Sequence, residues 1–316
     1  MKLAFVLDPL EDLKAYKDSS VAMMREAARR GHEVHALESR SMCVRDGRVR
    51  ATVRKLAVSD DDGAWYRAEV ARDEALAGFD LVLMRKDPPF DLEYYNATLL
   101  LDRVEAEGTP VLNRPRSLRD WNEKLAILAF PALTPATLVA SDMRRIHDFI
   151  DAHDDVVVKR LDGMGGTMVF RVVREDVNRN VIVESITEMG ERTVMAQRYI
   201  PEIAKGDKRV LVIDGKPFGH CLARIPKAGE TRGNLAVGGT GVAQALSPRD
   251  REIAETVGPH LVKAGIVFAG IDVIGDWLTE INVTSPTCIV EIAQQTGHDA
   301  AADLLDALER NRNGRS

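Results

Sequence analysis

The sequence predicts an α/β protein with more than one domain, and three observations carry that reading. Over about the first 110 of its 316 residues, apolar runs of strand length alternate with capped helical stretches, the pattern of an α/β unit. From Arg209 onward the apolar runs come in neighbouring pairs across glycine-bearing turns, which is antiparallel in character. The length suffices for two or three packed layers, with a large core split among domains.

In chain order, Lys2–Leu7 is an apolar run that reads as the first strand. Asp18-Ser19-Ser20 offers N-caps for a helix through Arg30, closed by Gly31. Glu33–Leu37, Phe79–Met84 and Pro110–Asn113 are further strands, and a helix from Leu92 to Glu107 ends at Gly108. Residues 45–72 are charged and poorly periodic and read as a hairpin-bearing excursion. A second unit begins near Ser117 with a helix carrying Trp121-Asn122-Glu123-Lys124, is broken at Thr134-Pro135, and resumes as a helix over Ser141–His153. Val156–Lys159 is a strand, Asp162–Gly166 a glycine turn and Thr167–Val172 the returning strand. A helix near residues 179–189 and a strand Thr193–Ile200 complete it. In the third unit Arg209–Ile213 and Pro217–Arg224 flank Asp214-Gly215, a strong hairpin signal. Pro226–Gly241 is glycine-rich and without period, so it reads as a long mobile loop, usually functional in a compact domain. A helix over Pro248–Gly265, a hairpin within 270–286 and a helix over Ala300–Arg310 follow, with Asn311–Ser316 a frayed tail.

Composition excludes several function classes. Hydrophobic residues make up 45% and charged residues 29%, ordinary for a soluble enzyme. The net charge of −6 and the lack of a polybasic arm argue against nucleic acid as a partner. Met1–Leu7 has a faint look of a signal peptide, but Asp8-Pro9 interrupts it, and a strand explains it better. The most apolar window elsewhere, Leu125–Leu133, contains a proline and is far short of a membrane span. Three widely spaced cysteines, Cys43, Cys221 and Cys288, argue against a disulfide framework and for a reducing, cytoplasmic setting.

The stretch Gly270–Pro286 carries the strongest chemistry. It reads as two short strands joined at a tight turn, with Glu280 and Asn282 two apart and so on one face. A three-residue loop, Gly275–Trp277, would pair residue 272 with 280 and bring Asp272 onto that face; a two-residue loop would point it away. Two carboxylates and an amide oxygen together have no cheap resting state without a cation, and an all-oxygen set suits Mg²⁺ shared with phosphate and water. An exposed acidic hairpin is the alternative. Gly163, Gly165 and Gly166, around Met164, let backbone N–H groups turn toward one point, which suits phosphate. No Lys-Ser/Thr follows, so it is not a Walker A loop, and a plain tight hairpin is the competing reading. Lys159, at the end of the preceding strand, would meet the same phosphates, unless it is an ordinary strand-end lysine. Gly229–Asn234 has lid composition, with Arg232 as a fork for developing charge; a surface insertion is the alternative. Lys86-Asp87-Pro88-Pro89 follows a strand where open α/β sheets collect ligands, and would hold Arg85 or Lys86 toward a carboxylate; alternatively it only terminates the strand. The seven histidines form no i, i+4 ligand pair, and Cys288 has no adjacent histidine to support a nucleophile.

Taken in order, these elements resemble the ATP-grasp ligases, and within them the bacterial glutathione synthetase family. The resemblance rests on Met84–Asp91, Ser117–Asp120 with Asn122-Glu123-Lys124, Lys159 through Leu161–Gly166, Gly206–Val210, Leu222–Pro226, Gly229–Asn234 and Thr279–Cys288, and runs from about Leu3 to Ile292. It implies a three-domain ATP-grasp fold with an N-terminal open α/β domain over 1–118, a central lid domain over 119–200 and a metal-bearing catalytic domain over 201–316. It implies that Lys124 and Lys159 meet the phosphates of ATP under the 163–166 loop. Gln197, Tyr199 and Ile200 would border adenine, and Asp207 would reach the ribose. Asp272, Glu280 and Asn282 would hold Mg²⁺, or Mn²⁺ in its place. Arg209, Arg224 and Arg232 would surround the reacting carboxylate, with Arg85, Ser285, Asn282 and nearby backbone on the dipeptide. A homotetramer is implied too. Two positions depart from the family pattern: Arg160 stands where proline is expected after the loop lysine, and Thr240 where arginine is expected in Gly-Gly-Arg-Gly.

The implied activity is ATP-dependent ligation of γ-glutamylcysteine and glycine through an acyl phosphate, with no nucleophile supplied by the protein. The alternatives are an ATP-dependent carboxylate–amine ligase with other substrates, and a nucleotide-binding module that has lost turnover.

Overall fold

The computed structural model describes residues 1–227, 229, 230, 233, 235 and 238–313, and it is built around three β-sheets. The first begins with β1 (Lys2–Leu7), which runs parallel to β2 (Glu33–Glu38) across helix α1 (Ser19–Arg29). Asp18 caps α1 by accepting the amides of Ser20 and Val21. The charged stretch beyond β2 is antiparallel and centred on β4 (Arg48–Val58), which pairs with β3 (Cys43–Arg45), β5 (Tyr66–Ala68) and β6 (Arg72–Ala75) as well as with β2. The chain then returns to the parallel sheet through β7 (Leu81–Met84), helix α2 (Leu92–Ala106) and β8 (Val111–Leu112).

β1 shows why the sheet is buried on both sides. Leu3, Phe5 and Leu7 pack with Met23 and Met24 of α1. Ala4 and Val6, facing the other way, pack with Tyr94, Leu101 and Val104 of α2.

A helix carrying residues 121–124 was expected, but helix α3 (Pro115–Asp120) is only six residues long and stops before Trp121. Asn122 accounts for the stop, because its side-chain oxygen accepts the amides of Lys124 and Leu125 and turns the chain into a 3₁₀ segment at Leu125–Ala129. The second sheet is antiparallel and orders its strands as β11 (Val169–Val173), β10 (Asp155–Arg160), β12 (Val194–Arg198) and β9 (Thr137–Ala140). Helices α4 (Met143–His153) and α5 (Arg179–Ile186) cover one face. Ile146, Ile150, Val156, Val158, Val172, Val183, Ile186, Val194 and Ala196 form a core of its own there.

The third sheet is also antiparallel, ordered β15 (Thr240–Ala245), β14 (Lys216–Ile225), β13 (Asp207–Ile213), β16 (Phe268–Ile274) and β17 (Trp277–Asn282). Strand β15 begins inside the stretch expected to be loop. Asp214 and Gly215, with φ of 50° and 75°, turn β13 into β14 as their sequence predicts. Helix α6 (Pro248–Ala264) opens with a Ser247–Asp250 capping box and closes at left-handed Gly265. Helix α7 (Ile289–Thr296), unanticipated, follows β17, and helix α8 (Ala300–Asn313) continues through residues expected to fray. Among the described residues no helix is long and apolar enough to cross a membrane.

The first and third sheets share their cores. Leu211, Phe218, Leu304 and Leu305 belong to the cluster of Leu3 and Phe5, and Val210, Ile271 and Ile281 to that of Ala4 and Val6. Asn113, just past β8, stitches the two sheets. Its nitrogen donates to the carbonyls of Phe268 and Val283, and its oxygen accepts the amides of Val267 and Phe268.

Candidate active site

A cavity of about 340 Å³ opens where the second and third sheets meet, with the C-terminal end of β7 at its rim. The β16–β17 hairpin forms its floor. The loop is two residues, not three, since Ile274 pairs with Trp277. A two-residue loop alone would turn Asp272 away from Glu280. A β-bulge between Val273 and Asp272 inserts one residue and restores the pairing of Asp272 with Glu280 and of Gly270 with Asn282. The three oxygen-bearing residues therefore share a face, by a route different from the one expected.

Each carboxylate is held by cations. Arg209 of β13 donates Nε to Asp272 Oδ1 at 2.6 Å and Nη2 to Oδ2 at 3.1 Å, a bidentate pair. Arg224 of β14 brings Nη2 to within 2.9 Å of the same Oδ2 and donates to Asp207 Oδ2 at 2.5 Å. Burial alone would raise the Asp272 carboxyl, but Arg209 and Arg224 outweigh it and hold it well below the usual carboxylate range. Asp207 goes the other way: burial, reinforced by Asp272 and Glu280, pushes it up to about 7 despite Arg224. Its Oδ1 is buried without a hydrogen-bond partner among the described residues.

Glu280 Oε1 lies 3.3 Å from Lys159 Nζ and 3.6 Å from Lys124 Nζ. Burial would raise Glu280 as well, and the two lysines bring it down. Burial lowers Lys159 in turn. Lys124 Nζ also donates to the Gly163 carbonyl at 2.6 Å, so the two lysines and the glycine loop converge on one point.

The glycine loop is built as the sequence predicts. Gly165 and Gly166 take φ of 60° and 82°, and a side chain on Gly163 would place its Cβ 2.8 Å from the Thr167 carbonyl oxygen. Arg160, the unexpected residue before it, grips both oxygens of Asp162 at 2.9 Å and reaches Glu188 at 3.3 Å. The first residue of the loop is thereby tied to the end of α5.

Gln197, Tyr199 and Ile200, at the end of β12, line the cavity wall beside the apolar side chains of Val157, Val169 and Ile274. Gln197 is buried with its amide nitrogen on Thr137 Oγ1, and the guanidinium of Arg171 stacks 3.8 Å over the Tyr199 ring. Ser285 and Cys288 line the other end. Arg85 lies behind the wall, not on it. Its guanidinium is buried, donating to Ser20 Oγ at 3.1 Å and to the Pro286 carbonyl at 2.9 Å, and Ser285 Oγ donates to the Arg85 carbonyl. Arg232 lies outside the described residues.

One residue was missed. Glu123 lines the cavity, and its Oε1 accepts the amides of Val283 and Thr284, both at 3.3 Å, and the Thr284 hydroxyl at 2.7 Å. Its only signal was its place before Lys124.

The donor set fits a hard divalent cation. Among the described residues the second oxygen of Glu280 has no protein partner, and Asn282 spends its nitrogen on the hairpin, donating to Gly270 O and Asp272 Oδ2. Asp272 is the most committed of the three, with Oδ2 saturated by donors and Oδ1 bonded once. Among the described residues no cluster of three histidine, cysteine or acidic donors forms. Two carboxylates and an amide oxygen beside paired lysines suit a cation that shares its shell with phosphate.

Comparison with known proteins agrees with this geometry. Residues 1–119 match the model of the prokaryotic glutathione synthetase N-terminal domain, and residues 123–297 that of the prokaryotic glutathione synthetase ATP-grasp domain. The chain is 53% identical over 314 residues to a glutathione synthetase of Nitrosomonas europaea, covering 98% of each chain. It is 51% identical over 311 residues to one of Yersinia pestis, again covering 98% of each. Among solved structures it is similar to D-cycloserine synthetase DcsG (TM-score 0.68, 15% identity, 98% of this chain and 99% of that one). It is also similar to a RimK domain ATP-grasp protein of Sphaerobacter thermophilus (TM-score 0.64, 20% identity, 97% and 99%). At such identities these two show the fold alone, which is ATP-grasp.

Proposed function

The chain belongs to the prokaryotic glutathione synthetase family, and from that premise we infer how its cavity performs the family's reaction. It is an ATP-dependent ligase of glutathione biosynthesis, joining γ-glutamylcysteine to glycine. The observation that carries our assignment of roles is the chain of paired charges along one cavity, from Lys124 and Lys159 through Glu280 to Asp272, Arg209 and Arg224.

Lys124 and Lys159, with the 163–166 loop, hold the phosphates of ATP, while Gln197, Tyr199 and Ile200 border the base and Asp207 accepts a ribose hydroxyl at its orphaned Oδ1. Asp272, Glu280 and Asn282 hold Mg²⁺, or Mn²⁺, which when bound neutralises charge on the phosphate oxygens. The cysteinyl carboxylate of the dipeptide attacks the γ-phosphorus to give an acyl phosphate and ADP. The glycine amine then adds to the acyl carbon and phosphate leaves. Arg209 and Arg224 orient the reacting carboxylate, and Arg232 joins them from outside the described residues. Ser285, Asn282 and neighbouring backbone place the dipeptide, and Arg85 supports Ser285 from behind. The protein supplies position and charge, and effective molarities of ~10⁵ M or more are available from alignment alone. Exclusion of water from the acyl phosphate falls to the Gly229–Asn234 lid, part of which lies outside the described residues.

We further propose that the three sheets are the centres of domains over 1–118, 119–200 and 201–316, and that the enzyme is a cytoplasmic homotetramer. The testing experiment follows phosphate release with Mg-ATP and γ-glutamylcysteine, with and without glycine, and identifies the product by mass. Glycine-dependent release with a tripeptide product is expected. ATP binding without release under this pair would overturn the mechanism.

A further inference from the structure

Three consecutive residues, Asn122, Glu123 and Lys124, bond to two opposite sides of the cavity. The Asn122 amide donates to the Leu161 carbonyl at 3.3 Å and the Lys124 ammonium to the Gly163 carbonyl at 2.6 Å, so both flanking residues reach toward the glycine loop. Glu123 reaches the opposite way. Its backbone carbonyl accepts the Ile281 amide at 2.9 Å, adding a bridge beside β17, and its side chain takes three donors from residues 283 and 284. These four bonds hold the segment that carries Asn282 and Ser285, about 160 residues away along the chain.

A buried carboxylate is a costly way to hold a turn unless it is fully bonded. Glu123 answers part of that cost with three donors on Oε1, although burial still raises its carboxyl. After Asn282 the strand ends, and its next amides would otherwise be buried donors without sheet partners. Glu123 replaces the missing strand for them.

We propose that Glu123 is a positioning residue of the ligation, fixing the segment that carries Asn282 and Ser285 against Lys124, so that the groups assigned to nucleotide and dipeptide share one geometry. This rests on the assignment of those groups given above. Lys124 shares a peptide bond with the clamp, so any shift of the 282–285 segment changes its distance from the lysine.

The test compares Glu123→Gln, Glu123→Ala and Thr284→Val, with initial rates measured while ATP, γ-glutamylcysteine and glycine are varied separately, and with ADP binding measured directly. The amide of Glu123→Gln still offers an acceptor to all three donors and should keep kcat within about fivefold of wild type. Glu123→Ala should lower kcat about 30-fold or more and raise KM for the dipeptide, with ADP affinity changed less than about threefold. Thr284→Val, losing the hydroxyl bond alone, should fall between. Two results would overturn the proposal: Glu123→Ala with wild-type kcat and KM, or Glu123→Gln as damaged as Glu123→Ala with equal losses in ADP binding and thermal midpoint. Failure of the functional reading looks different, because the wild-type enzyme itself would then show no glycine-dependent phosphate release.

Discussion

Gly270→Ala tests whether Arg209 must stand where it does. Gly270 lies in β16 opposite Asn282, with a backbone that alanine adopts without strain. A Cβ there would sit 2.6 Å from Arg209 Cδ, 3.0 Å from its Nε and 3.2 Å from Pro286 Cβ. Carbon atoms pack at about 3.5 Å or more, so the arginine stem must retreat by about 1 Å. Most arginines would swing aside at little cost. This one is buried and pinned at both nitrogens to Asp272, at 2.6 and 3.1 Å, so a retreat of that size breaks at least one of those bonds. One charge-assisted hydrogen bond is worth about 1.5–3 kcal/mol, which corresponds to a loss of about 10- to 150-fold in kcat. Losing glycine's freedom in the unfolded chain returns about 0.4–1 kcal/mol, so the thermal midpoint should move by only a few degrees. The assay is glycine-dependent phosphate release beside a calorimetric melt, with Gly219→Ala, whose Cβ would meet nothing within 4 Å, as the control. A kcat within twofold of wild type would refute the reasoning.

Three further outcomes are expected. Glu280→Gln removes the charge shared by Lys124 and Lys159 and should lower kcat by about 10²-fold and raise the Mg²⁺ needed for half-activity; an unchanged Mg²⁺ titration would remove Glu280 from the metal set. Gly258→Ala would put a Cβ 2.0 Å from the Gly215 carbonyl oxygen, a backbone atom that cannot rotate away. The overpacking cost of about 1–3 kcal/mol should exceed the helix-propensity gain of about 1 kcal/mol and lower the thermal midpoint by several degrees; a raised midpoint would show that α6 shifts freely. His35 is buried with neither ring nitrogen hydrogen-bonded, and burial lowers its pKa despite the Glu33 carboxylate 3.5 Å from its Nε2. The unfolded chain therefore binds a proton near pH 6.5 that the folded chain refuses, and stability should fall as pH drops below that value. Denaturant melts of His35→Phe should lose this part of the slope, and identical slopes would count against it.

Much of this was legible in the residues because local chemistry decided it. The continuous apolar run of β1, the Asp-Gly turn after β13 and the glycine loop each need only a few neighbouring side chains. The β16–β17 hairpin shows the limit. Spacing put Glu280 and Asn282 on one face, but Asp272 joins them through a bulge that no spacing rule announces. Glu123 was hidden for a related reason: its partners are the unpaired amides beyond a strand end, and nothing in Asn-Glu-Lys reveals which residue faces which way. The helix expected over 121–124 failed because the Asn122 side chain competes for the backbone amides. The departure at Arg160 gained a physical account only once Asp162 and Glu188 were seen beside it.

The division of apolar packing has a bearing on how this enzyme can be recombined with its relatives. The sheet of β9–β12 closes a nine-residue core on one face, while Met195 of β12 and Val139 of β9 pack into the interior of Ala4 and Val6, so an exchanged segment keeps its own interior but must match that seam. The outer sheets cannot be traded one at a time. Phe5 and Leu304, or Val6 and Ile271, are halves of one interior, and a chimera joined between them would have to match two unrelated sets of side-chain shapes. Shuffled libraries in this family should therefore retain both flanks from one parent and vary the middle.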